Sequence, residues 1–189
     1  MKKLLKNLSF GPLVFILTAL FSAQGYSVVA ANSAQSKILS GNAVVVWQEV
    51  DINYNTIVQG GVGSLSNNPI TWTITTLSDG ISDVYNSIPN LYGNHNGDAL
   101  VLWGFYDIDG FYWYAASILP SGSSKWTSAI ISAVNDSATF NDVCGFIDES
   151  GNILATWTAY DATNNVTILK GATATVSSLT WSSPFTIAQ

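Results

Sequence analysis

The chain has no arginine anywhere in its 189 residues. Its lysines number six, at positions 2, 3, 6, 37, 125 and 170. A chain so poor in cations does not bind nucleic acid through phosphates, because that term is supplied by Lys and Arg. Anionic membrane surfaces are disfavoured for the same reason. Cys144 is the single cysteine, so no intramolecular disulfide forms. It lies in an apolar stretch, residues 141–147, and is expected to be a buried, inert thiol, since reactive thiols need exposure and a basic neighbour. His95 is the single histidine and sits in an Asn-rich turn, where solvent exposure is the default. One His and one Cys cannot make a zinc site of the usual kind within one chain, and no cofactor is expected. No G-x-S-x-G nucleophile elbow occurs. No segment of the mature domain shows a helical period.

Half of the few lysines are spent at the start. Lys2, Lys3 and Lys6 precede an apolar run over residues 10–21, broken only by Gly11, Pro12 and Thr18. Small residues follow. The pattern is that of a secretory signal peptide over residues 1–25, with cleavage after Gly25 or as late as Ala31. The run is short for a membrane span, which needs about 20 apolar residues. The expected destination is the periplasm, the medium or the cell surface, with no membrane association after cleavage. The mature domain, residues 32–189, sets 12 acids against 3 lysines, a balance of −9. Such acidity serves solubility more than it marks a partner.

What the mature chain has in quantity is a repeat. GNAVVVWQEVD (41–51), GDALVLWGFYD (97–107) and GNILATWTAYD (151–161) each run from Gly through apolar residues to a Trp and close on Asp. A second Trp follows each copy, at Trp72, Trp126 and Trp181. A period near 55 marks a repeat architecture. Within each unit, short β-branched and aromatic runs alternate with turn residues such as Asp109-Gly110, which reads as four antiparallel strands. Four-stranded units of this length are propeller blades. The expected fold is all-β, with three propeller-like blades over about residues 35–78, 87–132 and 141–188.

Pro89-x-Leu91 leading to Asn94-x-x-Gly97, then Trp103 and Trp126, and the run W-S-S-P-F-T-I at 181–187, resemble the repeats of bacterial sialidase-like β-propeller proteins. The resemblance spans about residues 38–189 and implies the fold. It says little of activity, because propellers host many. The Ser-x-Asp-x-Gly-x-x-Trp box of true sialidases is absent before all three second Trps. Sialidases also hold their substrate carboxylate with arginines, and here there are none. Propellers usually close with about four to eight blades. Three blades therefore imply a partial propeller, or a homodimer closing a six-bladed ring.

Trp47, Trp103, Trp157, Trp72, Trp126 and Trp181 could serve as sugar-stacking platforms, but repetition favours packing between blades, since each repeat must solve the same problem. Asp51, Asp107 and Asp161 sit at strand-to-turn corners, where Asp bonds its own backbone; metal or general-acid roles are the alternative. Asp142, Asp148 and Glu149 form a denser acidic run. One set departs from the repeat: Tyr106, Asp109, Phe111, Tyr112, Trp113 and Tyr114, around a tight turn. Strand alternation turns some of these rings outward. Outward Tyr and Trp beside Asp suit sugar hydroxyls; contact with another protein surface and plain packing are the alternatives. Trp113 and Tyr112 are expected to matter for binding more than for stability. The expectation is an exported, non-enzymatic binding module with carbohydrate as ligand. The alternatives are a structural repeat protein completing a propeller with other chains, or a degenerate glycoside hydrolase.

Overall fold

The computed structural model describes residues 31–50, 55–78, 83–134, 136, 142–161 and 163–189, and all secondary-structure elements among them are β-strands. The expected signal segment at residues 1–25 and Asp51 lie outside the described residues. Blade 1 holds β1 (Ala31–Leu39), β2 (Asn42–Val50), β3 (Thr56–Ser64) and β4 (Trp72–Thr76). Blade 2 holds β5 (Asp83–Asn86), β6 (Asn90–Gly93), β7 (Ala99–Asp107), β8 (Tyr112–Leu119) and β9 (Thr127–Ile130). Blade 3 holds β10 (Cys144–Ile147), β11 (Asn152–Asp161), β12 (Val166–Thr175) and β13 (Phe185–Ala188). Neighbouring strands in blades 1 and 3 follow chain order, in blade 2 both β5 and β6 pair β7, and all pairs are antiparallel.

The glycine that opens each repeat has a backbone reason. Gly41, Gly97 and Gly151 turn the chain with φ of 82°, 101° and 77°. A Cβ is penalised in that left-handed region. The apolar run that follows becomes a long strand in the middle of its blade, β2, β7 or β11. In β7, period 2 sends Val101, Trp103 and Phe105 into the core shared with blade 1, and Leu100 and Leu102 into the core shared with blade 3. Both faces are covered, so the strand reads as a continuous apolar run.

Two apolar clusters fill the seams. Val44, Val46, Val58 and Val62 of blade 1 meet Val101, Trp103, Phe105 and Trp126 of blade 2. Leu100, Leu102, Tyr114 and Ile118 of blade 2 meet Ile153, Ala155, Trp157 and Ala172 of blade 3, with Trp181 partly buried against them. Trp103 and Trp157 thus occupy successive seams. Trp47 lies on the outer face of blade 1 with Val45, backed by Trp72 and Ile74. At the inner strands side chains cross from blade to blade. Leu91 N donates to Gln35 Oε1 at 2.8 Å, and Asn90 Nδ2 donates to Val143 O at 3.5 Å.

Several details differ from the sequence expectation. The first strand of blade 1 runs over Ala31–Leu39, so the blade begins before the expected residue 35. The inner strand of blade 2 comes in two pieces, β5 and β6, both paired with β7. Pro89 lacks an N–H for the ladder, and Ser87 fills the gap: its N–H donates to Gly104 O at 2.7 Å and its hydroxyl accepts from Gly104 N at 2.8 Å. The last strand starts at Phe185, beyond the repeated Trp181. Ser182 bonds Thr173 through its N–H and its hydroxyl before Pro184 interrupts. Cys144 is exposed, not buried. It pairs with Thr156 in register, and alternation turns Gly145, its neighbour, toward Leu100 and Leu102 of blade 2.

Candidate functional site

The β7–β8 hairpin carries the residues that depart from the repeat, and Asp107 shapes it. Asp107 Oδ1 accepts from the N–H of Asp109 at 3.0 Å and of Phe111 at 2.8 Å; Oδ2 accepts from Trp113 Nε1 at 2.8 Å. The Trp113 bond, with help from the turn amides, holds the Asp107 carboxyl below the usual carboxylate range. Asp161 does the same work one blade on. It accepts from Thr163 N at 2.9 Å and from the Asn164 side chain at 2.7 Å, and the Asn164 bond lowers its pKa first. These carboxylates are committed to their own turns.

The six aromatic-corner residues separate into two groups. Tyr106, Asp109 and Phe111 are exposed, Tyr106 to 39%. Tyr112 and Tyr114 are 5% and 0% exposed, and Trp113 is half-buried against the blade 1–blade 2 core. Alternation explains the split. Tyr112 and Tyr114 point toward blade 3, whose Trp157 ring lies 5.7 Å from Tyr114. Tyr112 lies against Gly104, where a Cβ would come within 1.8 Å of its hydroxyl. Trp113 pairs with Phe105 in register and points the other way. Tyr112 and Tyr114 are therefore buried packing residues, and not among the rings that alternation turns outward.

A ring that the sequence did not single out joins the exposed set. Tyr85, on β5, pairs in register with Tyr106 and is 49% exposed. Across β5, β7 and β8 the order Tyr85, Tyr106, Tyr112 makes a row of phenols, with Tyr106 and Tyr112 edge-to-face at 5.0 Å. The first two are open to solvent. Tyr85 escaped notice because β5 has four residues and no counterpart in the repeat; the alternation Asp-Val-Tyr-Asn was its only signal.

The blade 2–blade 3 seam holds two further carboxylates. Asp136 accepts from Trp157 Nε1 at 3.2 Å and pairs with Lys170 Nζ at 2.5 Å. Asp142 accepts from the Tyr114 hydroxyl and, through its other oxygen, from the N–H and hydroxyl of Thr158. The acidic run expected at Asp142, Asp148 and Glu149 is not one patch. Asp142 and Asp148 lie beyond opposite ends of β10, roughly 20 Å apart at the rise of a strand. Asp148 caps its turn, bonding Ser150 N and the N–H and side chain of Asn152, and the Asn152 side chain leads in lowering its pKa. Glu149 pairs with His95 Nδ1 at 2.7 Å, and that bond lowers its pKa.

A cleft of about 330 Å³ lies at the opposite, turn-bearing end of blades 1 and 2, lined by Lys37, Ile38, Leu39, Ser40, Gly93, Asn94 and His95. Its polar groups are largely engaged. Asn94 Nδ2 bonds Asp98 and Asp148 O, and His95 bonds Glu149. The aromatic corner presents exposed rings instead, Tyr85, Tyr106 and Phe111. Among the described residues no three His, Cys, Asp or Glu side chains gather as a metal site, and no helix is long and apolar enough to cross a membrane.

No protein-family model and no curated protein matches the chain. Among solved structures, it is similar to an endo-arabinase from Bacteroides thetaiotaomicron VPI-5482, at 12% identity and a TM-score of 0.48, over 87% of this chain and 66% of that one. It is also similar to the α-L-arabinofuranosidase PaAbf62A from Podospora anserina, solved with cellotriose, at 12% identity and a TM-score of 0.30, over 84% of this chain and 68% of that one. The chain spans about two thirds of the length of each. Neither is a sialidase, and likenesses this distant leave the architecture to be read from the chain's own sheets.

Proposed function

We propose that the protein is an exported, non-catalytic binding module that holds carbohydrate at the β7–β8 corner. The observation that carries this reading is the pair Tyr85 and Tyr106, in register on adjacent strands and both open to solvent, with Phe111 and Asp109 exposed on the neighbouring turn. Adjacent strands lie about 4.8 Å apart, so two phenol rings side by side offer an apolar platform near the width of one sugar ring. The exposed Asp109 carboxylate adds an acceptor at its rim.

The state of the other carboxylates supports binding over hydrolysis. A glycoside hydrolase needs one carboxyl to give a proton and another to attack or activate water. Asp107 and Asp161 are tied into turns, Asp136 is held by Trp157 and Lys170, and Asp142 by Tyr114 and Thr158. Affinity electrophoresis against a panel of soluble polysaccharides tests the proposal. The wild-type chain should be retarded by at least one of them. Replacing both Tyr85 and Tyr106 by Ala should weaken that retardation about thirtyfold, since exposed aromatic contacts contribute on the order of 1 kcal/mol each. Retardation unchanged in the double variant, or turnover of glycosides by the wild type, would overturn it.

A further inference from the structure

We infer that the outer face of blade 3 is a self-association surface, and that its occupant is the same face of a second copy. The inward residues of this blade, Ile153, Ala155, Trp157 and Ala172, are in the seam core. Period 2 therefore turns their neighbours outward. Phe146, Leu154, Ile187 and Phe185 share that outer face: Phe146 is in register with Leu154, Phe185 with Gly171, and a Cβ on Gly171 would touch Ile187 and Leu154. Phe146 is 63% exposed, and Phe185 and Ile187 are exposed beside it. Cys144 is exposed on the same face.

Two observations choose the occupant. The first is charge. No outward position of β10 to β13 is itself charged: they are apolar residues, threonine, glycine, Cys144, Asn152 and Tyr160, with the carboxylates of Asp142 and Asp148 held at the rim by Thr158 and Asn152, while Lys170 points inward to Asp136. The mature sequence carries 12 acids against 3 lysines. Two like-charged copies can approach only where neither presents charge, and this face meets that condition. The second concerns the alternative geometry. A ring closed head to tail would seat the Trp47 face of blade 1 on blade 3. Trp47 is already 4% exposed and Val45 2%, and Trp47 Nε1 is bonded to Glu49, a charge at that face. The self-complementary pairing uses one open face twice and needs no second one, as in any two-fold dimer.

The size of the face sets the strength. Four strands about 4.8 Å apart, with about 3.3 Å per residue, make a patch roughly 20 Å on a side. Two copies would cover on the order of 800 Å² together, below a standard interface, so the dimer is weak and reversible.

Sedimentation equilibrium on the purified chain, over a concentration series from micromolar upward, tests this. The expected result is a reversible monomer–dimer equilibrium. Phe146→Lys or Phe185→Lys should weaken it at least tenfold, while Phe111→Lys, on the far hairpin and as exposed as Phe185, should leave it unchanged. Cys144 gives an independent reading without any substitution: its reaction rate with a soluble disulfide reagent should fall several-fold as the dimer fills. A monomer at every concentration would overturn the inference. So would a dimer that survives both lysine substitutions, or one that Trp72→Lys dissolves while Phe146→Lys does not.

Discussion

Trp157 and Lys170 face each other in register across β11 and β12, and both end on one carboxylate, that of Asp136. The indole N–H takes Oδ2 and the ammonium takes Oδ1. One residue of the blade 2–blade 3 connection thus satisfies a buried donor and a half-buried cation together. Trp157→Ala should destabilise the chain by about 3–5 kcal/mol, because it empties a fully buried site. Asp136→Asn keeps the size but weakens both bonds, and should cost about 1–3 kcal/mol. Urea unfolding of the two variants, followed by tryptophan fluorescence, gives the ranking; an Asp136→Asn variant as stable as wild type would show the bonds to be incidental.

Gly104→Ala is the smallest change expected to disrupt the aromatic corner. The added methyl falls 1.8 Å from the Tyr112 hydroxyl and 2.6 Å from its ring carbon Cζ. The ring must leave its place against Tyr106 and Tyr114, at a cost of about 1–3 kcal/mol for an overpacked site. Gly104→Ala combined with Tyr112→Phe removes the nearest atom and should recover part of the loss. Thermal melts of the single and double variants check it, and additive losses would count against the contact.

The turn carboxylates set an acid limit. Asp107, Asp148, Asp161 and Glu149 are all held below their ordinary pKa, chiefly by side-chain bonds from Trp113, Asn152, Asn164 and His95 respectively. A depressed folded pKa means that the unfolded chain takes up protons first as pH falls. Their contribution is therefore complete above the unfolded values near pH 4, and is lost as pH drops through the lower folded values. Carbon-detected NMR titration should show these four side chains titrating later than free Asp and Glu. Trp113→Phe should move Asp107 back toward the ordinary value and leave Asp161 where it was.

The chain should release no sialic acid from a fluorogenic sialoside. Bidentate capture of a carboxylate relies on the planar fork of arginine, and the sequence has none. Release above the buffer control would refute this directly.

The repeat was legible because each blade solves one packing problem with the same residues. Gly41, Gly97 and Gly151 announce a turn that only glycine makes easily, and Trp103 and Trp157 recur where two sheets meet. The aromatic corner was legible as a departure from that pattern, but not in its division. Whether Tyr112 faces solvent depends on how far blade 3 overlaps blade 2, and no local period encodes that. Tyr85 was hidden by the shortness of β5, whose place is fixed by pairing with β7 and not by its own propensity. Cys144 looked buried because its neighbours are apolar; its exposure follows from which side of β10 meets blade 2, a one-residue matter of register.

Among the described residues, the main-chain ladders run within blades, whereas Gln35, Asn90, Asn94 and Asn96 cross between them with side-chain amides. A blade can thus tilt away from its neighbour without breaking a single rung of its own sheet. Sliding or parting the seams costs apolar contact and a set of side-chain bonds, Tyr114–Asp142 and His95–Glu149 among them, while melting a blade costs its whole ladder. Native-state hydrogen exchange in such a molecule would be governed by two different openings. Residues that look toward a seam would become accessible to solvent long before the amides of β2, β7 and β11 let go of theirs.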